Sequence, residues 1–250
     1  MNTPIEINNV KKSYPVGFTK REILHGISLA IQHGEVFGFI GPNGAGKSTS
    51  INLLMGFTRV DSGAVRIYGH DPTHPAARKD IGYLPEGPRF YENLKAAELM
   101  RFGCQVAGMK SRGMDDAIAD LLQKLEISHV KNNPISTYSK GMKQRLGIAL
   151  SMVHDPGTLI LDEPMSGLDP IGRDLLKRII LDLKTKGKTI FFSSHILNDV
   201  EILCDRIGLI HRGRILYNGP ASDFRCEHED IDAAFVRRID DATMGEQANE

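Results

Sequence analysis

One segment constrains this chain more than any other. The nearly all-apolar run Glu35–Ile40 (EVFGFI) passes directly into Gly41-Pro42-Asn43-Gly44-Ala45-Gly46-Lys47-Ser48-Thr49, and then into an apolar-periodic helix over 47–56. A short apolar run of this kind reads as a strand buried on both faces. The loop after it fits G-x-x-x-x-G-K-[ST]. Its glycines let the main chain close around a polyphosphate with its own N–H groups. The helix beginning near Lys47 aims the positive end of its dipole at the same anion. Lys47 is then placed to neutralise β- and γ-phosphate oxygens, and the Ser48 hydroxyl to ligate Mg²⁺. A glycine-rich turn carrying a surface lysine is the bland alternative, and the strand before and helix after the motif argue against it.

The rest of the pattern supplies a matching fold. Ile5–Val10 and Ile23–Ile31 alternate as strands, and Ala64–Tyr68 and Ile81–Leu84 are shorter ones. From Tyr91 to His154 the periodicity becomes helical, with helices expected near Glu92–Val106, Asp115–Leu125 and Lys140–His154 and a loop over Lys131–Ser139. Strand Thr158–Leu161, helix Ile171–Lys186, strand Thr189–Phe192, helix Ile196–Cys204 and strands Ile207–Ile210 and Arg214–Tyr217 follow. Strands alternating with helices imply a mainly parallel sheet with crossovers. The helical block at about 87–156 reads as an insertion into it, and the tail after Gln247 is expected to fray.

Composition narrows the function classes. The chain has 250 residues, with 31 basic and 31 acidic side chains. A net charge of zero argues against a nucleic-acid binder working through a basic surface. No stretch approaches the roughly 18–20 apolar residues needed to cross a bilayer, and the N-terminus lacks a signal-peptide pattern. Cys104, Cys204 and Cys226 are too scattered for a disulfide framework or metal knuckle, which fits a reduced, cytoplasmic chain.

A second site feature ends the buried strand Thr158–Leu161. Asp162 and Glu163 stand at its carboxyl end, where α/β sheets place their chemistry. Asp162 suits an Mg²⁺ coordination sphere, and Glu163 suits polarising an attacking water. Solvated acids capping a strand are the competing reading, weakened by the phosphate loop upstream.

Taken in order, these motifs resemble the nucleotide-binding subunit of an ATP-binding-cassette (ABC) transporter over residues 1 to about 220. Gly41–Ser48 is similar to its Walker A segment, and Leu159–Pro164 to Walker B with the catalytic glutamate. Ser166-Gly167-Leu168-Asp169 resembles the D-loop that crosses the family's dimer interface. His195, in FFSSHIL, resembles the switch histidine at the γ-phosphate. Tyr14, in KKSYP, sits where the family stacks an aromatic on adenine, with Phe18 as an alternative. Tyr138–Arg145 (YSKGMKQR) resembles the LSGGQ signature, in which Ser139 and Gly141 are the positions that would face phosphate. Two departures stand out: Tyr138, Lys140 and Met142 replace signature consensus residues, and Glu86 occupies the Q-loop position. Glutamate can accept at Mg²⁺ or its water but cannot donate as an amide does. Both departures resemble the exporter subgroup of drug- and sodium-extrusion ATPases.

The resemblance implies a P-loop NTPase, an α/β fold with a RecA-like core (about 1–86 and 157–220), an antiparallel β subdomain and an inserted helical signature subdomain (about 87–156). Residues 221–250 would add a short closing helix, resembled by Asp230–Ile239, and a tail. It further implies ATP and Mg²⁺ as cofactors, the metal held by Ser48, Glu86 and Asp162, and a dimer with a second copy or a related cassette. In that dimer Ser139 and Gly141 of one subunit close on ATP bound to the other, and Asp169 lies at the interface. Glu163, His195 and Lys47 would carry catalysis. A polytopic transmembrane permease would be the partner, engaged through the helical insertion and the joining segment Glu86–Tyr91, on the inner face of the membrane. Three other readings share these motifs: an importer ATPase, a soluble non-transport ABC ATPase, and a nucleotide sensor without turnover. A single cassette, no sustained heptads between Lys47 and Asp162, and no charge excess disfavour the second. The presence of Lys47, Glu163 and His195 together disfavours the third.

Overall fold

The structure is a computed structural model that describes residues 3–225 and 229–247, the side chains of 245–247 excepted; Cys226 and the tail after Gln247 lie outside the described residues. β1 (Ile5–Val16) and β2 (Thr19–Ile31) form a long antiparallel hairpin. β3 (Val36–Ile40), buried at every residue, leads through the phosphate loop into α1 (Lys47–Leu54). β4 (Ser62–Ile67) returns to pair antiparallel with β1, so that Ile5 faces both Ile31 and Ile67. The short α2 (Pro75–Arg78) precedes β5 (Ile81–Leu84). Three helices follow, α3 (Ala96–Val106), α4 (Met114–Lys124) and α5 (Lys140–Met152), before β6 (Thr158–Leu161). Then come α6 (Pro170–Thr185), β7 (Thr189–Ser194), α7 (Leu197–Leu203), β8 (Arg206–His211), β9 (Arg214–Pro220) and α8 (Ile231–Gln247).

The strands form two sheets. A six-stranded sheet has the order β5-β6-β7-β3-β8-β9, parallel except for β9 at its edge. A three-stranded antiparallel sheet has the order β2-β1-β4. Between them lies an apolar layer in which Ile5, Ile7, Phe37, Phe39 and Phe191 are all buried. On the other face of the large sheet, α3, α4, α5 and α6 pack with β6 and β7 through Met100, Leu122, Leu146, Ile180 and Phe192. All the parallel strands of the large sheet therefore point their carboxyl ends the same way, which is what gathers the site.

Several boundaries differ from the sequence reading, each for a local reason. The helix expected from Glu92 begins at Ala96, because the Glu98 carboxylate accepts from the Lys95 N–H at 2.9 Å and caps it there. Glu92 and Leu94 instead give their carbonyls to Ser136 and Ile135 in the facing loop. That loop, expected to be irregular, holds a 3₁₀ turn over Ile135–Thr137. β1 runs on to Val16 and β2 starts at Thr19, since the hairpin projects into solvent where no alternation is required. The helix from Lys47 stops at Leu54, short of Gly56. α2 carries no periodic signal, being one turn capped by the His74 side chain with Pro75 at its first position. The closing helix runs to Gln247, beyond Ile239. Cys104 and Cys204 are free and buried, and burial pushes both thiols up, so neither is a reactive thiolate.

Candidate functional site

Each strand end contributes one part. β3 delivers the phosphate loop, β6 delivers Asp162 and Glu163, β7 delivers Ser193, Ser194 and His195, and β5 leads to Glu86. They border a cavity of about 490 Å³, lined by Tyr14 and Ile23, by Asn43, Gly44 and Gly46 through Thr49, and by Glu86, Glu163 and His195. Gly41, Pro42 and Ala45 complete the loop behind this lining. Phe18, at the hairpin tip, is fully exposed and does not line the cavity, so Tyr14 is the aromatic the fold brings to it.

Lys47 is buried despite its charge, and its ammonium is fully occupied. Its Nζ donates to the Gly41 carbonyl at 2.6 Å and to the Pro42 carbonyl at 3.3 Å, and stands 3.7 Å from Glu163 Oε1. Glu163 is equally buried and is held from several sides. His195 Nδ1 lies 2.7 Å from Glu163 Oε2. A carboxylate only accepts, so in neutral His195 the proton sits on Nδ1 and Nε2 is left as the free acceptor. The Glu163 backbone is left-handed, with φ of 49°. Such a conformation costs a non-glycine residue about 1–3 kcal/mol and is found where the surroundings over-determine it.

Ser193 supplies that determination, and it was not singled out in the sequence. Its Oγ accepts from the Glu163 N–H at 2.8 Å and donates to Asp162 Oδ1 at 2.6 Å. One buried hydroxyl thus sets two successive acidic residues. The available signal was a small polar residue ending the apolar strand TIFF.

Asp162 pays for its position. Burial, chiefly, and then the neighbouring Glu86 and Glu163 charges push its carboxyl above the ordinary range, against hydrogen bonds from Ser193 and Ser48. The folded-state pKa is raised above the unfolded value of 3.8. The folded protein therefore binds the extra proton, and stability falls as pH climbs from the unfolded pKa through the folded one. Above that window the buried charge is a net cost. In the nucleotide-free protein at neutral pH, Asp162→Asn should raise the thermal midpoint, because the amide keeps an acceptor for Ser193 and carries no charge. A lower midpoint by calorimetry would refute this.

The oxygen donors fit a hard cation. The Ser48 hydroxyl with the Asp162 and Glu86 carboxylates is the donor chemistry Mg²⁺ takes, and a cation would relieve the charge crowding on Asp162. Among the described residues no three His, Cys, Asp or Glu side chains form a metal cage by themselves. Mg²⁺ ordinarily takes one or two carboxylates together with substrate phosphates and water.

Ser139, Gly141 and Asp169 lie elsewhere, and none of them lines the cavity. Ser139 caps α5, its Oγ accepting from the Met142 N–H at 3.2 Å, which leaves a helix start with free amides. Gly141 packs near the Gly167 carbonyl. Asp169 caps α6 through the Gly172 N–H at 2.9 Å and lies 3.8 Å from Arg145. Gln144, buried, donates to the Pro164 carbonyl at 3.0 Å. The start of α5 is therefore braced against the segment that follows Glu163 in the same chain. Tyr138, which stands where the resemblance expects a leucine, buries its ring and donates its hydroxyl to the Val130 carbonyl at 2.6 Å.

The parallel sheet, the glycine loop feeding a helix, and the acidic pair on the adjacent strand end define a P-loop NTPase with a RecA-like core. Residues 24–166, more than half of the chain, match the family model described as ABC transporter. The chain belongs to the ABC transporter family. It is 42% identical to an uncharacterised ABC transporter ATP-binding protein of Synechocystis over 88% of its own length, and spans 63% of that relative. It is 42% identical to the lantibiotic transport ATP-binding protein SrtF of Streptococcus pyogenes, over 85% of this chain and 89% of SrtF. A solved ATP-binding subunit of an ABC transporter superposes with a TM-score of 0.87 and 29% identity, covering 95% of this chain and all of that one. The fold class and the family expected from the sequence thus hold.

Proposed function

We propose that this chain is the ATP-hydrolysing subunit of a membrane exporter, working as a head-to-tail dimer around two ATP molecules. The observation that carries the reading is the buried Glu163, oriented by Ser193 and paired with His195 and Lys47 beside the phosphate loop. Tyr14 would receive the adenine, and the loop amides with Lys47 the β- and γ-phosphates. Mg²⁺, when bound through Ser48, Asp162 and Glu86, would screen the phosphate charge. Glu163 then orients water for in-line attack on the γ-phosphoryl and takes its proton, while Lys47 and, with Nε2 also protonated, His195 stabilise the charge that develops. Ser139 and Gly141 support dimerisation: they stand at a helix start with free amides yet apart from their own chain's cavity, as a site completed by a second chain's nucleotide would have them. Release of ADP and phosphate would reopen the pair, a ligand-driven shift between two states.

Glu86, the YSKGM signature and the likeness to a lantibiotic transport protein support export. The proposed location is the cytoplasmic face of the membrane, held by a permease subunit and not by lipid. Among the described residues no helix is long and apolar enough to cross a membrane. A broad, mostly apolar groove of about 880 Å³ between α2, α3 and α5 suits a cytoplasmic segment of that permease. Its floor includes Leu99 and Leu150, and Phe102 and Val106 are exposed on it. Purified chain should release phosphate from ATP with a requirement for Mg²⁺ that EDTA abolishes. Phe102→Asp should cut recovery of the permease in detergent pull-downs about tenfold, the loss expected when a buried phenyl contact becomes a charge. No phosphate release from the chain, alone or with its permease, would sink the enzymatic half of the reading. Parent-like recovery with the Asp variant would sink the groove assignment.

A further inference from the structure

The ring of Tyr14 borders the nucleotide cavity, but what holds the ring lies behind it. Lys12 Nζ stands 5.3 Å from the Tyr14 ring centroid. The Lys12 side chain is only 12% exposed, and it does not line the cavity that Tyr14 borders. Its ammonium meets Asp61 Oδ1 at 3.1 Å, while Asp61 Oδ2 accepts from the Ser13 N–H at 2.6 Å. The Asp61 N–H in turn donates to the Lys11 carbonyl at 3.0 Å. One aspartate just ahead of β4 therefore grips three successive residues of β1, immediately before Tyr14.

That grip sits where β1 most needs one. The pairing of β1 with β2 shifts register between Lys12 and Ser13. Irregularities of this kind re-aim the next side chains and are held by contacts outside the ladder. The hydrogen bond from Lys12, with those from Ser13, keeps the Asp61 carboxyl below its usual range. The Asp61 carboxylate is therefore ionised throughout the neutral region.

We propose that Asp61 and Lys12 are positioning residues for the nucleotide base, fixing the Tyr14 ring from behind so that its cavity face is presented to a purine. The proposal rests on the reading of Tyr14 as the base platform. The cation behind the ring draws π density away from the opposite face and holds the ring in one orientation. A purine, with its larger π surface, gains more from such a platform than a pyrimidine does. Neither residue lines the cavity, so the effect belongs to base recognition alone.

The test is titration calorimetry on the full chain with MgATP, MgUTP and tripolyphosphate. Asp61→Ala and Lys12→Met should each weaken ATP binding about three- to tenfold and narrow the preference for ATP over UTP, with tripolyphosphate changed by less than about twofold. Asp61→Asn keeps an acceptor for Ser13 but not the charge for Lys12, and should fall between parent and Asp61→Ala. In turnover assays the loss should appear in KM and not in kcat. If Tyr14→Ala loses ATP affinity while Asp61→Ala and Lys12→Met keep it, the proposal is overturned and the base platform stands. If Tyr14→Ala also binds ATP normally, the platform is wrong and the proposal falls with it. Equal loss of ATP and tripolyphosphate would mark general damage to the site and likewise overturn it.

Discussion

Glu163→Gln should bind MgATP at least as tightly as the parent and hydrolyse it about 10²–10³-fold more slowly. General-base assistance is worth roughly that much, and the substitution removes little else. Glutamine has the same shape, and its amide oxygen can still accept from His195 Nδ1, now at 2.7 Å from Glu163 Oε2. The backbone anchor from Ser193 acts on the Glu163 N–H and is indifferent to the side chain. The Lys47 ammonium, however, loses the negative partner 3.7 Å away and is freed for phosphate. Binding is therefore kept or improved while proton acceptance is lost. An ATP-loaded dimer should accumulate, visible as an ATP-dependent shift in light scattering behind a sizing column. Turnover near that of the parent would remove Glu163 from the proposed chemistry.

What could be read from the sequence follows a physical divide. The phosphate loop, the acidic pair and His195 were legible because each sits at the end of a buried apolar run, and hydrophobic patterning locates strand ends well. Ser193 was not, since its importance comes from reaching two residues on the adjacent strand, a contact that exists only after β6 and β7 pair. The same holds for Asp61, which meets β1 across nearly fifty residues of chain. Helix starts depart from the periodicity where a capping side chain overrides it, as at Glu98. The separation of Ser139, Gly141 and Asp169 from the cavity was implied only by family resemblance. The braces from Gln144 to Pro164 and from Arg145 to Asp169 give that separation a fixed geometry within one chain.

Two glycines of the same loop should respond very differently to the same substitution. Gly41 directly follows β3 beside β8, and a Cβ there would lie 2.2 Å from the Ile210 carbonyl oxygen and 3.1 Å from its Cγ2. Ile210 is completely buried, so that carbonyl cannot yield without disturbing the sheet. Gly41 also presents its own carbonyl to Lys47 Nζ at 2.6 Å, so displacing it moves the phosphate lysine. Gly41→Ala should cost about 3 kcal/mol, the upper end for overpacking, and lower the thermal midpoint by about 6–12 °C for a chain of this size. MgATP binding should weaken in parallel. Gly44 is instead left-handed, with φ of 77°, and a Cβ there would meet nothing within 4 Å. Gly44→Ala should therefore cost only the conformational strain, about 1 kcal/mol, or about 2–4 °C. Thermal unfolding followed by circular dichroism separates the two cases. Equal midpoints for both variants would mean that the close approach of Gly41 to β8 is not what anchors the phosphate loop to the sheet.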